Sequence, residues 1–332
     1  MSVPTTNLAP AFNITRASHT VITVRDLEVS RTFYTQVIGL ELSHASDSEL
    51  YLRGVEETCH HSLVLRKSSQ PRACEVIGFR VFQDDDLDRA ARYFDEIGIE
   101  WKWAERPFQG RTLQFRDPIG MPIELCATMP TQPRLHDKPH LQRGAAALRY
   151  DHVQCLVPDV IAAGRFYADL GFRISDYFVD QPDDQDPLAL FMFRKNNPHD
   201  LVFMARPGPQ FHHCAYIVAD TQHLFRALDT AGAIGFSKCL ERGPGRHGQG
   251  HTFYVYFRDP DGHRVEILPP AIQMIDLDDK PVRWHSAIRF TWDLPPPKKW
   301  LHEATPFLGT PLRQSSAAQK FHSLEDFLAK AN

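Results

Sequence analysis

The chain is predicted to adopt an α+β fold of two tandem modules, each made of two β-α-β-β units, followed by a C-terminal extension. Two observations lead there. Strand-like stretches with alternating apolar residues are followed by short amphipathic helical patterns, and this order recurs along the chain. Matching residues also recur between the halves. His19 and His152 precede the pairs Phe33-Tyr34 and Phe166-Tyr167 by the same interval. Phe115-Arg116-Asp117-Pro118 with Glu124 mirrors Phe257-Arg258-Asp259-Pro260 with Glu266 at identical spacing. An internal repeat of this kind marks duplicated supersecondary units.

Residues 1–15 lack periodicity and read as an arm. The first strand spans Ala17 to Val24, and Asp26 is placed to cap a helix that runs through Phe33 and Tyr34 and stops near Gly39. Strands at Glu49–Leu52 and Ser62–Leu65 complete the unit. The second unit holds a strand at Val76–Phe82, a helix at Leu87–Ile97 with Leu87, Ala90, Ala91 and Phe94 on one face, and strands at Thr112–Phe115 and Pro122–Leu125. The boundaries expected are 1–130 for the N-terminal structural pair, 131–145 for a proline-marked linker, 146–270 for the C-terminal metal-binding pair, and 271–332 for an extension folding back over the active site.

Composition removes several function classes. A net charge of −4 without a basic run argues against a nucleic-acid surface. No apolar stretch is long enough to span a bilayer, so no membrane partner is expected. The six cysteines form no C-x-x-C pair and sit in apolar runs, which fits reduced core thiols and a cytoplasmic setting.

The chemistry lies in the second half. His152, His213 and Glu266 each sit on a strand-like apolar run. A lone His or Glu near a strand end is usually a hydrogen-bonded structural residue. Three of them on one curled sheet make a stronger case. Two imidazoles and one carboxylate leave three adjacent positions of an octahedral ferrous ion open, the arrangement of non-haem iron oxygenases. His199 and His247 lie beside turn residues, and Tyr256 shares a strand face with Tyr254 and Thr252.

Between Glu241 and Leu268, Arg-Gly-Pro-Gly-Arg-His-Gly, Phe-Tyr-Val-Tyr and Asp-Pro-Asp-Gly-His-Arg-Val-Glu follow in turn. With Tyr51-Leu52-Arg53-Gly54 and His60-His61-Ser62-Leu63-Val64-Leu65, these resemble the type I extradiol ring-cleavage dioxygenases of the vicinal oxygen chelate superfamily, nearest to the branches acting on homoprotocatechuate and catechol. The likeness runs from Ala17 to Thr305. It implies the glyoxalase-bleomycin resistance-dioxygenase fold, Fe(II) with Mn(II) possible, O2 and a catecholic small molecule as partners, and a homotetramer. It further implies His152, His213 and Glu266 as metal ligands, His199 as acid-base, His247 and Tyr256 as groups binding substrate and oxygen, and Arg242 as a substrate contact.

The chain departs from those branches at three places. Gln154 replaces an Asn, Phe191 a Trp, and Ile288-Arg289 a consecutive arginine pair, leaving Arg289 as half of an anion clamp. His19 and Glu124 repeat the ligand pattern in the first half, whose third position falls near Ile77-Gly78, so no second metal is expected. Two competing readings remain at this stage: a glyoxalase-like isomerase or lyase taking ligands from both modules, and a non-catalytic binding module.

Overall fold

The structure is a computed structural model and describes residues 3–285, 292–316 and 322–331. The first module holds β1 (Ile14–Val24), α1 (Leu27–Thr32), β2 (Glu41–Ala45), β3 (Glu49–Arg53) and β4 (Leu63–Lys67). Its second unit is β5 (Cys74–Val81), α2 (Asp84–Glu96), β6 (Trp101–Ala104), β7 (Thr112–Arg116) and β8 (Pro122–Cys126). The second module repeats the order. It has β9 (Arg149–Val157), α3 (Val160–Asp169), β10 (Arg173–Phe178), β11 (Ala189–Phe193) and β12 (Leu201–Ala205). Then come β13 (Gln210–Ile217), α4 (Thr221–Ala233), β14 (Leu240–Arg246), β15 (Phe253–Arg258) and β16 (Arg264–Leu268).

Each unit thus carries one strand more than the sequence pattern shows. In the first module the additions are β2 and β6, which form the two edges of the sheet β2-β3-β4-β1-β5-β8-β7-β6. As edge strands they are half-solvated: both are partly or fully exposed along their length, and their alternation is confined to the short runs Leu40-Glu41-Leu42 and Trp101-Lys102-Trp103. The second sheet runs β14-β15-β16-β13-β9-β12-β11-β10, with the two strands that open its units, β9 and β13, paired at the centre.

Local signals behave as their chemistry requires. Asp26 accepts from the backbone N–H of Glu28 at 2.9 Å and of Val29 at 3.1 Å, capping α1. The helix widens over Phe33–Ile38 and ends at Gly39, whose φ of 78° and 2.2 Å approach of any Cβ to the Arg143 carbonyl admit only glycine.

The two motifs paired by the repeat turn out to bind one another across the modules. Tyr34 donates its hydroxyl to Asp259 at 3.0 Å, and Tyr167 donates to Asp117 at 3.1 Å. Each aspartate also closes its own turn: Asp117 Oδ1 accepts from the N–H groups of Ile119, Gly120 and Met121, and Asp259 Oδ1 from those of Asp261 and His263. All four side chains are buried. The repeat therefore conserves a reciprocal latch, with each module supplying one tyrosine and one carboxylate.

The extension adds β17 (Val282–Trp284) parallel to β10, then α5 (Lys298–His302), β18 (Thr305–Pro306) against β13, and α6 (Leu324–Ala331). No helix among the described residues is long and apolar enough to cross a membrane. All six cysteines are buried free thiols.

Tyr34→Phe and Tyr167→Phe are each expected to cost about 1.5–3 kcal/mol, because each leaves a buried carboxylate oxygen without its donor. The latches are far apart in the chain and share no partner, so the double substitution should be additive in chemical denaturation.

Candidate metal centre

Three neighbouring strands, β9, β13 and β16, supply the principal cluster. His213 on β13 lies opposite Gln154, two residues from His152 on β9, and Glu266 on β16 lies beside Ala215, two residues from His213. The β9–β13 pairing slips on both sides of this point, between Phe211 and His213 and between Cys214 and Tyr216. Such bulges re-aim side chains that regular pleating would send elsewhere. As a result His152 Nε2, His213 Nε2 and Glu266 Oε2 converge, with separations of 3.2 Å between the imidazoles, 3.3 Å from His152 to Glu266 and 3.1 Å from His213 to Glu266.

The far sides of the imidazoles fix which nitrogen faces inward. His152 Nδ1 lies 2.8 Å from the carboxylate of Asp151, so it carries the proton and Nε2 presents a lone pair. His212 Nε2 donates to the Trp300 carbonyl at 3.0 Å, which leaves His212 Nδ1 to accept from His213 Nδ1 at 2.7 Å. His213 Nε2 is then also a bare lone pair. Two lone pairs and a carboxylate, all buried, face a common point with no donor among them. That donor set fits a cation. Cis ligands on an octahedral divalent ion with bonds of roughly 2.1–2.2 Å lie about 3 Å apart, and the three observed edges match.

The titration behaviour agrees. Burial opposes charge on Glu266, but the imidazoles of His152, His213 and His247 packed around it hold it well below the usual carboxylate range. Burial pushes His213 down to about 4, so it is neutral and available as a ligand. Burial opposes charge on His152 too, but the bonds to Asp151 and Glu266 raise it to about 9. A metal ion would displace that proton from Nε2, leaving the lone pair that a ligand needs.

The structure gathers most of the other sequence-predicted residues around one cavity of about 90 Å³, whose wall includes Gln154, Phe191, His199, Arg242, His247 and Tyr256. His199 packs 4.2 Å from the His152 ring and 5.4 Å from Phe191. Its Nδ1 is buried without a hydrogen-bond partner among the described residues, and burial, then His152, keeps it far below the usual imidazole range. His247 Nε2 lies 3.1 Å from the Tyr256 hydroxyl and 3.4 Å from Glu266 Oε1. Burial, reinforced by Glu266, keeps Tyr256 protonated. Arg242 reaches the wall but pairs with Asp293 at 3.0 Å. Arg289 lies outside the described residues.

Asp151, His212, Asp293 and the Trp300 carbonyl escape sequence reasoning. Asp151 is adjacent to His152, and neighbours on a regular strand face opposite ways. Only the bulge lets the two meet. Asp200 escapes it as well. Buried beside His199, it accepts from the backbone N–H of Ala17 in the first module at 2.8 Å, from those of Arg194 and Lys195 at 2.7 and 3.1 Å, and from the Lys195 ammonium.

The first module repeats the geometry with different chemistry. Glu124 sits opposite Gln114 as Glu266 sits opposite Tyr256, and Val21 faces Val76 as Gln154 faces His213. Val76, rather than Ile77 or Gly78, therefore occupies the third ligand position and cannot coordinate. His19 Nε2 lies 2.6 Å from Glu124, whose oxygens also accept from Arg106 at 3.1 Å, Gln109 at 3.1 Å and Gln114 at 2.9 Å. Gly78 makes room for the His19 ring, since a Cβ there would approach it to 2.1 Å. Donors surround a single acceptor, and a guanidinium provides the charge. The pair is closed to a metal.

Comparison with known proteins follows the same lines. The family model described as the Glyoxalase/Bleomycin resistance protein/Dioxygenase superfamily matches residues 16–125 and again 149–267. The chain is 28% identical over 284 residues to a metapyrocatechase of Pseudomonas sp. (strain CF600), covering 82% of this chain and 91% of that protein. It is 27% identical over 288 residues to a manganese-dependent 2,3-dihydroxybiphenyl 1,2-dioxygenase of Geobacillus genomosp. 3, covering 82% and 90%. The solved anaerobic substrate complex of homoprotocatechuate 2,3-dioxygenase from Brevibacterium fuscum with 3,4-dihydroxyphenylacetate superposes with a TM-score of 0.87 at 33% identity, covering 93% of this chain and 98% of that one.

Anaerobic titration with Fe(II) or Mn(II) is expected to reach one ion per chain. His152→Ala should abolish it and His19→Ala should leave it unchanged; a second equivalent lost on His19→Ala would contradict the closed first module. Asp151→Asn should weaken affinity by roughly 10–100-fold through loss of the imidazole's orienting acceptor.

Proposed function

The chain belongs to the Glyoxalase/Bleomycin resistance protein/Dioxygenase superfamily, and we infer that it is an extradiol dioxygenase that opens a catechol ring with O2 at a divalent metal held by His152, His213 and Glu266. The observation that carries this is the convergence of three buried acceptors beside a cavity whose wall bears His199, His247 and Tyr256. Fe(II) and Mn(II) both suit the ligand set. The carbon–carbon bond beside the diol breaks, both oxygen atoms enter the product, and no external reductant is consumed.

The metal, when bound, supplies a Lewis acid that catechol and O2 can both reach and a path for electron density from ring to dioxygen. The side chains manage protons. His199 is neutral and buried with an unpartnered nitrogen, so its imidazole can take a proton from a ring hydroxyl and return it to the oxygen released on O–O cleavage. Tyr256 remains a hydroxyl donor, aligned by His247 at 3.1 Å, and holds a substrate oxygen in place. Pro296, Trp300 and Leu301 from the extension close one wall and exclude water from the reacting ring. Six buried reduced thiols favour a cytoplasmic setting.

A reaction that draws ligands from both modules, as in a glyoxalase-like isomerase, finds no support, because His19 and Glu124 are bonded to each other and to Arg106.

The pocket favours catechols with apolar substituents. Phe178, Ala189, Phe191, Val202, Met204 and Leu301 line it, and the charge of Arg242 is matched by Asp293. A free carboxylate on the substrate would compete with Asp293 for that guanidinium.

After anaerobic Fe(II) loading, a panel of catechols under O2 should yield coloured ring-opened products. kcat/KM for catechol or an alkylcatechol should exceed that for 3,4-dihydroxyphenylacetate by roughly tenfold or more. Absence of O2 uptake with every catechol would sink the assignment. His199→Phe should retain its metal and lose turnover by about 10²–10⁴-fold; unchanged turnover and product would remove His199 from its role.

A further inference from the structure

A second pocket, of about 350 Å³, is lined by residues of both modules. Its wall carries Arg16, Arg80, Arg134, Arg149 and Lys195 against two carboxylates, Glu56 and Glu57. The carboxylates are already committed. Glu56 takes the Arg149 guanidinium at 2.6 Å. Glu57 accepts from the N–H of Gly54 at 2.7 Å, the Ser62 hydroxyl at 2.6 Å and the N–H of Tyr150 at 3.2 Å. Lys195 is held by Asp200.

Arg16 and Arg80 are left facing one another. They are direct cross-strand partners on β1 and β5, an arrangement in which like charges destabilise a sheet. Arg16 donates to the adjacent Ala17 carbonyl at 2.8 Å and reaches the Cys59 sulfur; Arg80 reaches that of Cys126, and its Nη1 is buried with no oxygen or nitrogen acceptor among the described residues. The nearby thiols offer no charge, because burial pushes Cys59 and Cys126 each up to about 11. A buried guanidinium donor without an acceptor is costly unless an anion meets it.

We propose that this pocket binds a small oxyanion, a phosphate or a carboxylate, bridged between Arg16 and Arg80. The planar forks of two opposed guanidinium groups match such an anion, and Arg134 at the exposed rim provides an entry charge. The site is separate from the metal centre and shares no residue with the cavity that holds it.

Calorimetric titration of the full-length protein with inorganic phosphate, and separately with succinate, in chloride at fixed ionic strength tests this. One anion per chain should bind, and the tighter of the two probes distinguishes a phosphate from a carboxylate ligand. Arg16→Gln and Arg80→Gln should each weaken binding by roughly tenfold or more. Arg111→Gln, which removes a surface arginine paired with Asp88, should leave it unchanged. His152→Ala should also leave it unchanged, which separates this site from anion binding at the metal. Should Arg80→Gln unfold, Arg134→Gln at the rim is read in its place, with weakened binding expected. No saturable binding of either probe, or binding that survives every arginine substitution in the pocket, overturns the proposal.

Discussion

The centre of the second module depends on where two imidazole protons sit. His152 gives its Nδ1 proton to Asp151, and His213 gives its own to His212, which is itself turned by the Trp300 carbonyl. Those outer bonds leave two lone pairs and the Glu266 carboxylate pointing at one another in a buried space. Three acceptors cannot satisfy each other. The site is built to require a cation, and the demand comes from groups that never touch it. The extension is part of this, because Trp300 belongs to it while orienting a ligand's neighbour.

The first module shows the same constraint met differently. Glu124 is as deeply buried as Glu266 and stands at the equivalent register position. Arg106 supplies the positive charge, Gln109 and Gln114 fill the remaining lone pairs, and Val76 stands where His213 would be needed. A duplicated fold has kept the buried carboxylate twice, surrounded once by protein donors and once by two imidazoles whose geometry suits a cation. What the first module retains for the second is mechanical. The tyrosine–aspartate latches join the halves, and Asp200 ties the β1 backbone to the turn that carries His199.

Much of this was legible in the residues. The paired Phe-Tyr and Arg-Asp-Pro motifs disclosed the duplication because each carries a latch that the fold needs at a fixed spacing. Asp26 and Gly39 bounded a helix through capping and positive φ, both local effects. His152, His213 and Glu266 stood out because ionisable residues inside apolar strands need a reason to be there. The edge strands β2 and β6 were not legible, since the alternation at Leu40-Glu41-Leu42 and Trp101-Lys102-Trp103 is too brief to separate a half-solvated strand from a turn. Nor was the partnership of Asp151 with His152, which a regular strand forbids and a bulge allows.

The sequence by itself determined the α+β repeat and singled out the side chains that the structure gathers in the second module. These follow from hydrophobic period, turn chemistry and residue type, which act over a few residues. Only the tertiary structure decided which histidine nitrogen faces inward, that Glu124 is closed by Arg106 while Glu266 remains open, and that Asp293 matches the charge of Arg242 at the cavity wall. Strand bulges and the distant Trp300 carbonyl set the first, partners tens of residues away set the others, and no local pattern encodes which distant group will arrive.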